Sequence, residues 1–197
     1  MFKSKKAEAG IGTLILFIAL ILVAAVAAGV LIQTSGSLQS KALATGSKTQ
    51  TQVSTQLAVN LMWGENGSTS NITRVYAELK LAPGSDALKL NDTLLEFVLS
   101  DASVSLTNSG TVVQCNQAVV GALAAGTFAT EYLVQSSSYK ADYVQQGDVI
   151  RICFATPRPV LEAQSFRFLV IPRSGGLTQI NGRTPDVMAS YQVSMFP

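Results

Sequence analysis

The sequence predicts an α+β protein, with a long N-terminal hydrophobic α-helix followed by an all-β outer domain. Three observations carry that expectation. A charge-free apolar run fills Gly10–Ile32. The stretch behind it, Gln33–Met62, holds no proline and keeps apolar residues at helical spacing. From about Ile72 onward short β-type runs are broken by Gly, Pro and Asn turns. With 197 residues the chain is long enough for one globular domain besides the N-terminal segment.

The first seven residues, MFKSKKA, are basic and have no apolar stretch of their own. Lysines 3, 5 and 6 beside a hydrophobic span hold that side in the cytoplasm and direct the C-terminal bulk outward. The run itself exceeds the ~20 residues that cross a bilayer. Three fates fit it: a membrane anchor, a secretory signal, or a segment retained for assembly. A secretory signal would be cut at Ala25-Val26-Ala27 and release a soluble domain from near Ala28. Against that, the run is longer than a signal core requires, and the residues after it continue as a helix.

Here the residues carry a resemblance. Lys5-Lys6-Ala7, then Glu8-Ala9-Gly10-Ile11-Gly12-Thr13-Leu14-Ile15, Phe17-Ile18-Ala19 and Val23-Ala24-Ala25-Val26-Ala27-Ala28 resemble the N-terminus of archaeal flagellins (archaellins). Leu31-Ile32-Gln33-Thr34-Ser35-Gly36 and Leu38-Gln39-Ser40-Lys41-Ala42 extend the likeness over roughly the first fifth of the chain. Type IV pilins share the logic, but usually carry Phe at the new N-terminus and Glu four residues on. Here those positions are Glu8 and Gly12. The resemblance implies a class III signal peptide, residues 1–7, removed by a prepilin-type signal peptidase between Ala7 and Glu8. The apolar run is then kept, as an assembly helix over residues 8–63 that starts in the membrane and ends in a filament core.

The residue pattern supports such a core independently. Ile11, Leu14, Phe17 and Ile18 belong to a run that is apolar all round, so it must be buried all round. Ala24/Ala28 and Ala25/Gly29 set small residues four apart, which lets helices approach closely. Beyond the run, Leu38, Ala42, Val53, Leu57 and Leu61 fall near one face, to pack either on the chain's own domain or on neighbouring subunits. Gly36 and Gly46 are the expected bend points, each costing ~1 kcal/mol relative to alanine.

Trp63-Gly64-Glu65-Asn66-Gly67-Ser68 is the expected helix end, and residues 64–197 form the outer domain. Its expected strands are Arg74–Leu81, Thr93–Leu99, Val104–Leu106, Val112–Cys115, Phe128–Val134, Val149–Phe154, Phe166–Ile171 and Val187–Val193. Val104–Leu106 and Val112–Cys115 are joined through Asn108-Ser109-Gly110 as a hairpin. Regular short strands of this kind indicate an Ig-like β-sandwich. Gly121–Gly126 reads as a short helix or a loop, and Gly175-Gly176 as a turn.

Cys115 and Cys153 are the only cysteines. They fit either a disulfide or two separate buried thiols. Three Asn-x-Ser/Thr sequons, at Asn66, Asn71 and Asn91, are candidate N-glycosylation sites, and archaellins are commonly N-glycosylated.

Chemistry is sparsely provided for. The chain has no histidine, which removes the usual general base and the commonest zinc ligand. It shows no phosphate loop, no dinucleotide-binding glycine pattern and no cysteine pair at zinc spacing, so no enzyme, cofactor or metal is expected. The formal charge of +2 comes from the three leader lysines, the remainder being slightly acidic. No nucleic-acid footprint is therefore present.

The resemblance then implies the function. It is a structural subunit of the extracellular archaellum filament at the cell surface, polymerising with itself and with other archaellins. The assembly and motor complex supplies insertion and rotation for swimming. An archaeal type IV adhesion pilin, or a secreted or anchored β-sandwich binding module, is the alternative.

Overall fold

The structure, a computed structural model, describes residues 3–65, 70–112 and 114–197, with side chains from Gly10 onward. The chain forms two bodies, one ending at Thr49 and the other Gln50–Pro197. The first consists of helix α1, Lys3–Ser54, whose last turn belongs to the second body. Its 52 residues extend about 78 Å at ~1.5 Å per residue. The helix runs unbroken through Gly36 and Gly46, the expected bend points.

Helix α1 stops at Ser54, earlier than the expected boundary at residue 63, because Leu57-Ala58-Val59-Asn60-Leu61-Met62-Trp63 folds as a strand. Strand β1 spans Leu57–Glu65. A spacing of four residues fits a helical face and also a strand's alternation, so Leu57 and Leu61 did not discriminate between them. In the strand a bulge between Val59 and Leu61 leaves Leu57 in the core and turns Leu61 to the outer face. Tertiary pairing decides between helix and strand: β1 lies between β2, Ile72–Leu81, and the C-terminal strand β11, Gln192–Phe196.

Backbone contacts hold the helix end in place. Thr55 N–H donates to Thr51 O (3.0 Å), closing the last turn. Thr55 O then accepts from Gly176 N–H at 2.7 Å. Ser85 Oγ donates to Ser54 O and accepts from Gln56 N–H, both at 3.1 Å. Gly175 sits at φ +130°, and a Cβ there would stand 2.7 Å from Thr55 O. The Gly175-Gly176 bend therefore lets two backbones meet where no side chain fits.

The remaining elements are β3 (Leu88–Lys89), a 3₁₀ turn (Leu90–Asp92), β4 (Thr93–Leu99) and β5 (Ser103–Thr111). Next come α2 (Gln117–Ala122), β6 (Thr127–Val134), β7 (Tyr143–Val144) and β8 (Val149–Val160). Strands β9 (Ser165–Pro172) and β10 (Thr178–Arg183) precede β11. Among the described residues, nine strands form one sheet in the order β10-β9-β4-β5-β6-β8-β2-β1-β11, and β3 pairs with β7 separately.

Strand β5 turns the sheet into a sandwich. Its first half pairs antiparallel with β4 (Leu95↔Leu106, Val98↔Ser103), and its second half runs parallel to β6 (Thr107↔Thr127, Thr111↔Thr130). The expected Asn108-Ser109-Gly110 hairpin is a bulge in this one strand. Gly110 takes φ +122°, its N–H donates to Asn108 Oδ1 at 3.1 Å, and the register slips between Asn108 and Gly110. Turn-forming residues here bend a strand across layers and do not reverse it.

The core lies between the layers. Val75, Ala77, Leu79 and Leu81 of β2 alternate into it. Phe154 of β8 meets Phe97 of β4 with centroids 5.6 Å apart, and Phe168 of β9 at 6.0 Å. Two further expected strands are corrected. Residues 114–116, at the end of the expected strand Val112–Cys115, are irregular, and residues 187–191 precede β11 without strand structure. Gly121–Gly126 divides between the end of α2 and a turn.

Candidate functional site

Every residue of α1 from Gly10 to Gln50 is exposed. This includes Ile11, Leu14, Phe17, Ile18, Ala24, Ala25, Ala28 and Gly29, the residues expected to build an assembly surface. The apolar positions occupy no single face: Leu20-Ile21-Leu22-Val23, at ~100° per residue, sweep most of the circumference. None of its most apolar 18-residue window is covered by the chain's own atoms. A folded domain rarely leaves more than a few hundred Å² of contiguous apolar surface open, so this helix needs lipid or other helices around it. Ala24/Ala28 and Ala25/Gly29 each stand one turn apart, and a Cβ built on Gly29 meets nothing within 4 Å.

The hydroxyls along the helix suit a dry environment. Thr13 donates to Gly10 O, Thr34 to Val30 O, Ser40 to Ser37 O and Thr49 to Thr45 O, at 2.9–3.0 Å. Bonded to their own backbone, they enter an apolar surround without an unmade hydrogen bond. Leu38, Ala42 and Val53 stay exposed, Val53 at 78%, while Leu57 is buried in β1. Ala7 and Glu8 lie within the α1 backbone.

On the outer domain, Cys115 and Cys153 are joined in a disulfide with Cα atoms 6.0 Å apart. Cys153 sits on β8, facing away from the core. Cys115 sits in the irregular segment before α2, which lies over the outer face of the sheet. Glu131 of β6 holds the same segment: its Oε2 accepts from Cys115 N–H (2.9 Å) and from Arg151 Nη1 (3.3 Å). Asn116 caps α2 by accepting from Val119 N–H.

Among the sequons, Asn66 lies outside the described residues. Asn71 is half-buried just before β2. Asn91 is exposed in the 3₁₀ turn, its Oδ1 accepting from Asn108 Nδ2 at 2.6 Å.

The sequence reading missed a polar groove of about 710 Å³ on the outer sheet face. Trp63 and Tyr76 stack across β1 and β2, 5.6 Å between centroids, and the Arg151 guanidinium lies 5.1 Å from the Trp63 ring. Arg151 Nη2 also reaches Glu78 at 2.9 Å. Tyr76 Oη donates to Glu65 Oε2 at 2.8 Å. Burial, and then that carboxylate, push its phenol far above the ordinary tyrosine range. The one available signal was Trp63 alternating with Leu61 and Glu65 on a strand that helical spacing obscured.

The chain thus joins an uncovered apolar helix to a β-sandwich domain. Comparison with known proteins identifies the lineage. The archaeal-type flagellin family model matches residues 7–181. The chain is 38% identical over 164 residues to Flagellin B1 of Methanococcus voltae, covering 78% of this chain and 75% of that one. It is 39% identical over 113 residues to Flagellin A2 of Haloferax volcanii, covering 57% and 51%. In fold it resembles the archaeal flagellum of Methanospirillum hungatei strain JF1, with a TM-score of 0.67 at 14% identity, over 95% of this chain and 99% of that one. Archaeal flagellin FlaB1 from Methanocaldococcus jannaschii gives 0.65 at 12% identity, over 72% and 96%. The chain belongs to the archaeal-type flagellin family.

Proposed function

We infer that this flagellin is a structural subunit of the archaellum filament, polymerising through α1 with copies of itself and with other archaellins. The observation that carries the reading is the helix: apolar on all sides, uncovered from Gly10 to Gln50, and longer than a bilayer requires. Such a surface is satisfied by a bundle of like helices, whose contacts repeat without closing and extend into a filament.

The proposed route has four steps. The chain inserts through its apolar run with the lysines on the cytoplasmic side. A prepilin-type peptidase cuts between Ala7 and Glu8. The assembly machinery of the archaellum then extracts the helix, and it packs in the filament core with the β-domain facing outward. Glycans on Asn71 and Asn91, and on Asn66, decorate the extracellular surface. Rotation comes from a separate motor, and the subunit performs no catalysis.

Peptide mapping of filaments sheared from cells tests this directly. The expected N-terminal peptide of the mature subunit begins at Glu8 and retains the apolar run. A soluble extracellular form beginning near Ala28 would overturn the reading in favour of a secreted binding module.

A further inference from the structure

The groove on the outer sheet face is not used by the helix, and its chemistry is selective. Its floor is the stacked Trp63–Tyr76 pair with the Arg151–Glu78 ion pair. One wall presents the exposed amides of Gln114, Asn116 and Gln117; the other presents exposed Tyr191, Gln192 and Ser194. Tyr191 Oη reaches Gln117 Oε1 at 3.3 Å, linking the walls. A volume of about 710 Å³ falls within the range of small-ligand sites.

We propose that this groove binds neutral oligosaccharides. The Gln114 amide offers a donor and an acceptor side by side, which matches the paired hydroxyls of a sugar ring. Asn116 and Gln117, whose oxygens already accept from Val119 N–H and Tyr191 Oη, add amide N–H donors. Tyr191, 44% exposed, offers an aromatic face to the C–H side of a pyranose. Anionic ligands fit poorly. Both terminal nitrogens of Arg151 are taken by Glu78 and Glu131, and Glu65 adds a further carboxylate beside Tyr76. An apolar peptide or a second helix would leave the amide walls unpaired.

Two sources supply the same chemistry: a glycan borne by a neighbouring subunit, and a polysaccharide outside the filament. Trp63 is the only tryptophan in the chain, so intrinsic emission reports on the groove floor directly. Isolated filaments are titrated with a panel of neutral oligosaccharides and with trigalacturonate as the acidic control, before and after chemical removal of their own glycans.

The expected result is a saturable change in Trp63 emission with neutral members of the panel, and binding at least tenfold weaker for trigalacturonate. Tyr191→Ala and Gln117→Ala each weaken binding about tenfold, the loss expected for one contact of ~1.4 kcal/mol. Val187→Ala, exposed and outside the groove, leaves it unchanged. Response only after deglycosylation assigns the site to a neighbour's glycan, and response in native filaments assigns it to an external one. No saturable change in either state overturns the proposal, as does equal binding by wild type and both groove variants.

Discussion

Removing the Cys115–Cys153 bridge should lower the unfolding temperature of the β-domain by an amount set by the loop it closes. The cysteines are 38 positions apart, and chain entropy for a loop of that length gives about 4 kcal/mol. For a body of about 150 residues each kcal/mol is worth roughly 2–4 °C, so Cys115→Ser/Cys153→Ser should melt roughly 8–16 °C lower. The double variant leaves no lone thiol to mispair. The segment before α2 is also held by Glu131 on Cys115 N–H, so it stays seated at low temperature and the loss appears mainly in the unfolded state. The assay is thermal unfolding of the detergent-dispersed full chain followed by Trp63 emission, since Trp63 packs against the cluster that holds both cysteines. Dithiothreitol should bring the wild type down to the variant and leave the variant unmoved. A double variant melting within about 2 °C of wild type would refute the loop-entropy account of this bridge.

Three further outcomes follow. Ala25→Lys should abolish filaments, since a lysine within an apolar helix costs about 2.5–3.5 kcal/mol even by the mild insertion scale, roughly 70- to 370-fold per subunit; normal filaments in electron micrographs would contradict a buried position. Gly175→Ala should destabilise the β-domain by roughly 1–3 kcal/mol in denaturant titration, because it combines positive φ with a Cβ pressed on Thr55 O. Burial, with Tyr139, Asp148 and Asp142 nearby, pushes the Tyr132 phenol up to about 12. The folded state therefore keeps a proton that the unfolded state gives up near pH 10, and the associated stability is full below pH ~10 and is lost as pH rises towards ~12. Tyr132→Phe should flatten that fall in a pH series of melting curves, while Tyr76, raised by burial and Glu65, contributes a remainder.

The elements most legible in the sequence were those whose pattern had one physical cause. Gly10–Ile32 is charge-free over a length that suits a membrane-spanning or fully buried helix. Thr93–Leu99 alternates cleanly because one side is core and the other is not, and its observed ends are the expected ones. The errors fall where two causes produce one pattern. Leu57 and Leu61 stand four apart, a spacing that helix and strand share, and only pairing with β2 and β11, with a bulge that turns Leu61 to the outer face, decides. Asn108-Ser109-Gly110 carries turn chemistry that serves a bulge as well as a hairpin, and the parallel partner that decides lies about twenty residues on, at Thr127–Thr130. Strand β10, Thr178–Arg183, is too polar to announce itself, and it lies at the sheet edge where β9 alone pairs with it. The groove was invisible for a related reason: its floor and walls come from residues 61–65, 76–78, 114–117, 151 and 191–194, which only the folded sheet brings together.

Magnitudes also constrain how such a subunit can travel. Between Gly10 and Ile32 fourteen large apolar side chains lie open, and at ~1.5–3 kcal/mol each their exposure to water would cost tens of kcal/mol. The net stability of a whole domain is only about 5–15 kcal/mol. A free subunit in water would therefore aggregate through α1 however well its β-domain folds. The proposed route from membrane to filament must pass the helix from lipid to bundle without an aqueous stage. Between those two apolar surrounds the hydrophobic term nearly cancels. What remains to favour the bundle is close packing, for which Ala24, Ala25, Ala28 and Gly29 leave room. Substitutions that enlarge these four positions should therefore impair assembly more than equal losses of apolar area at Leu14 or Phe17.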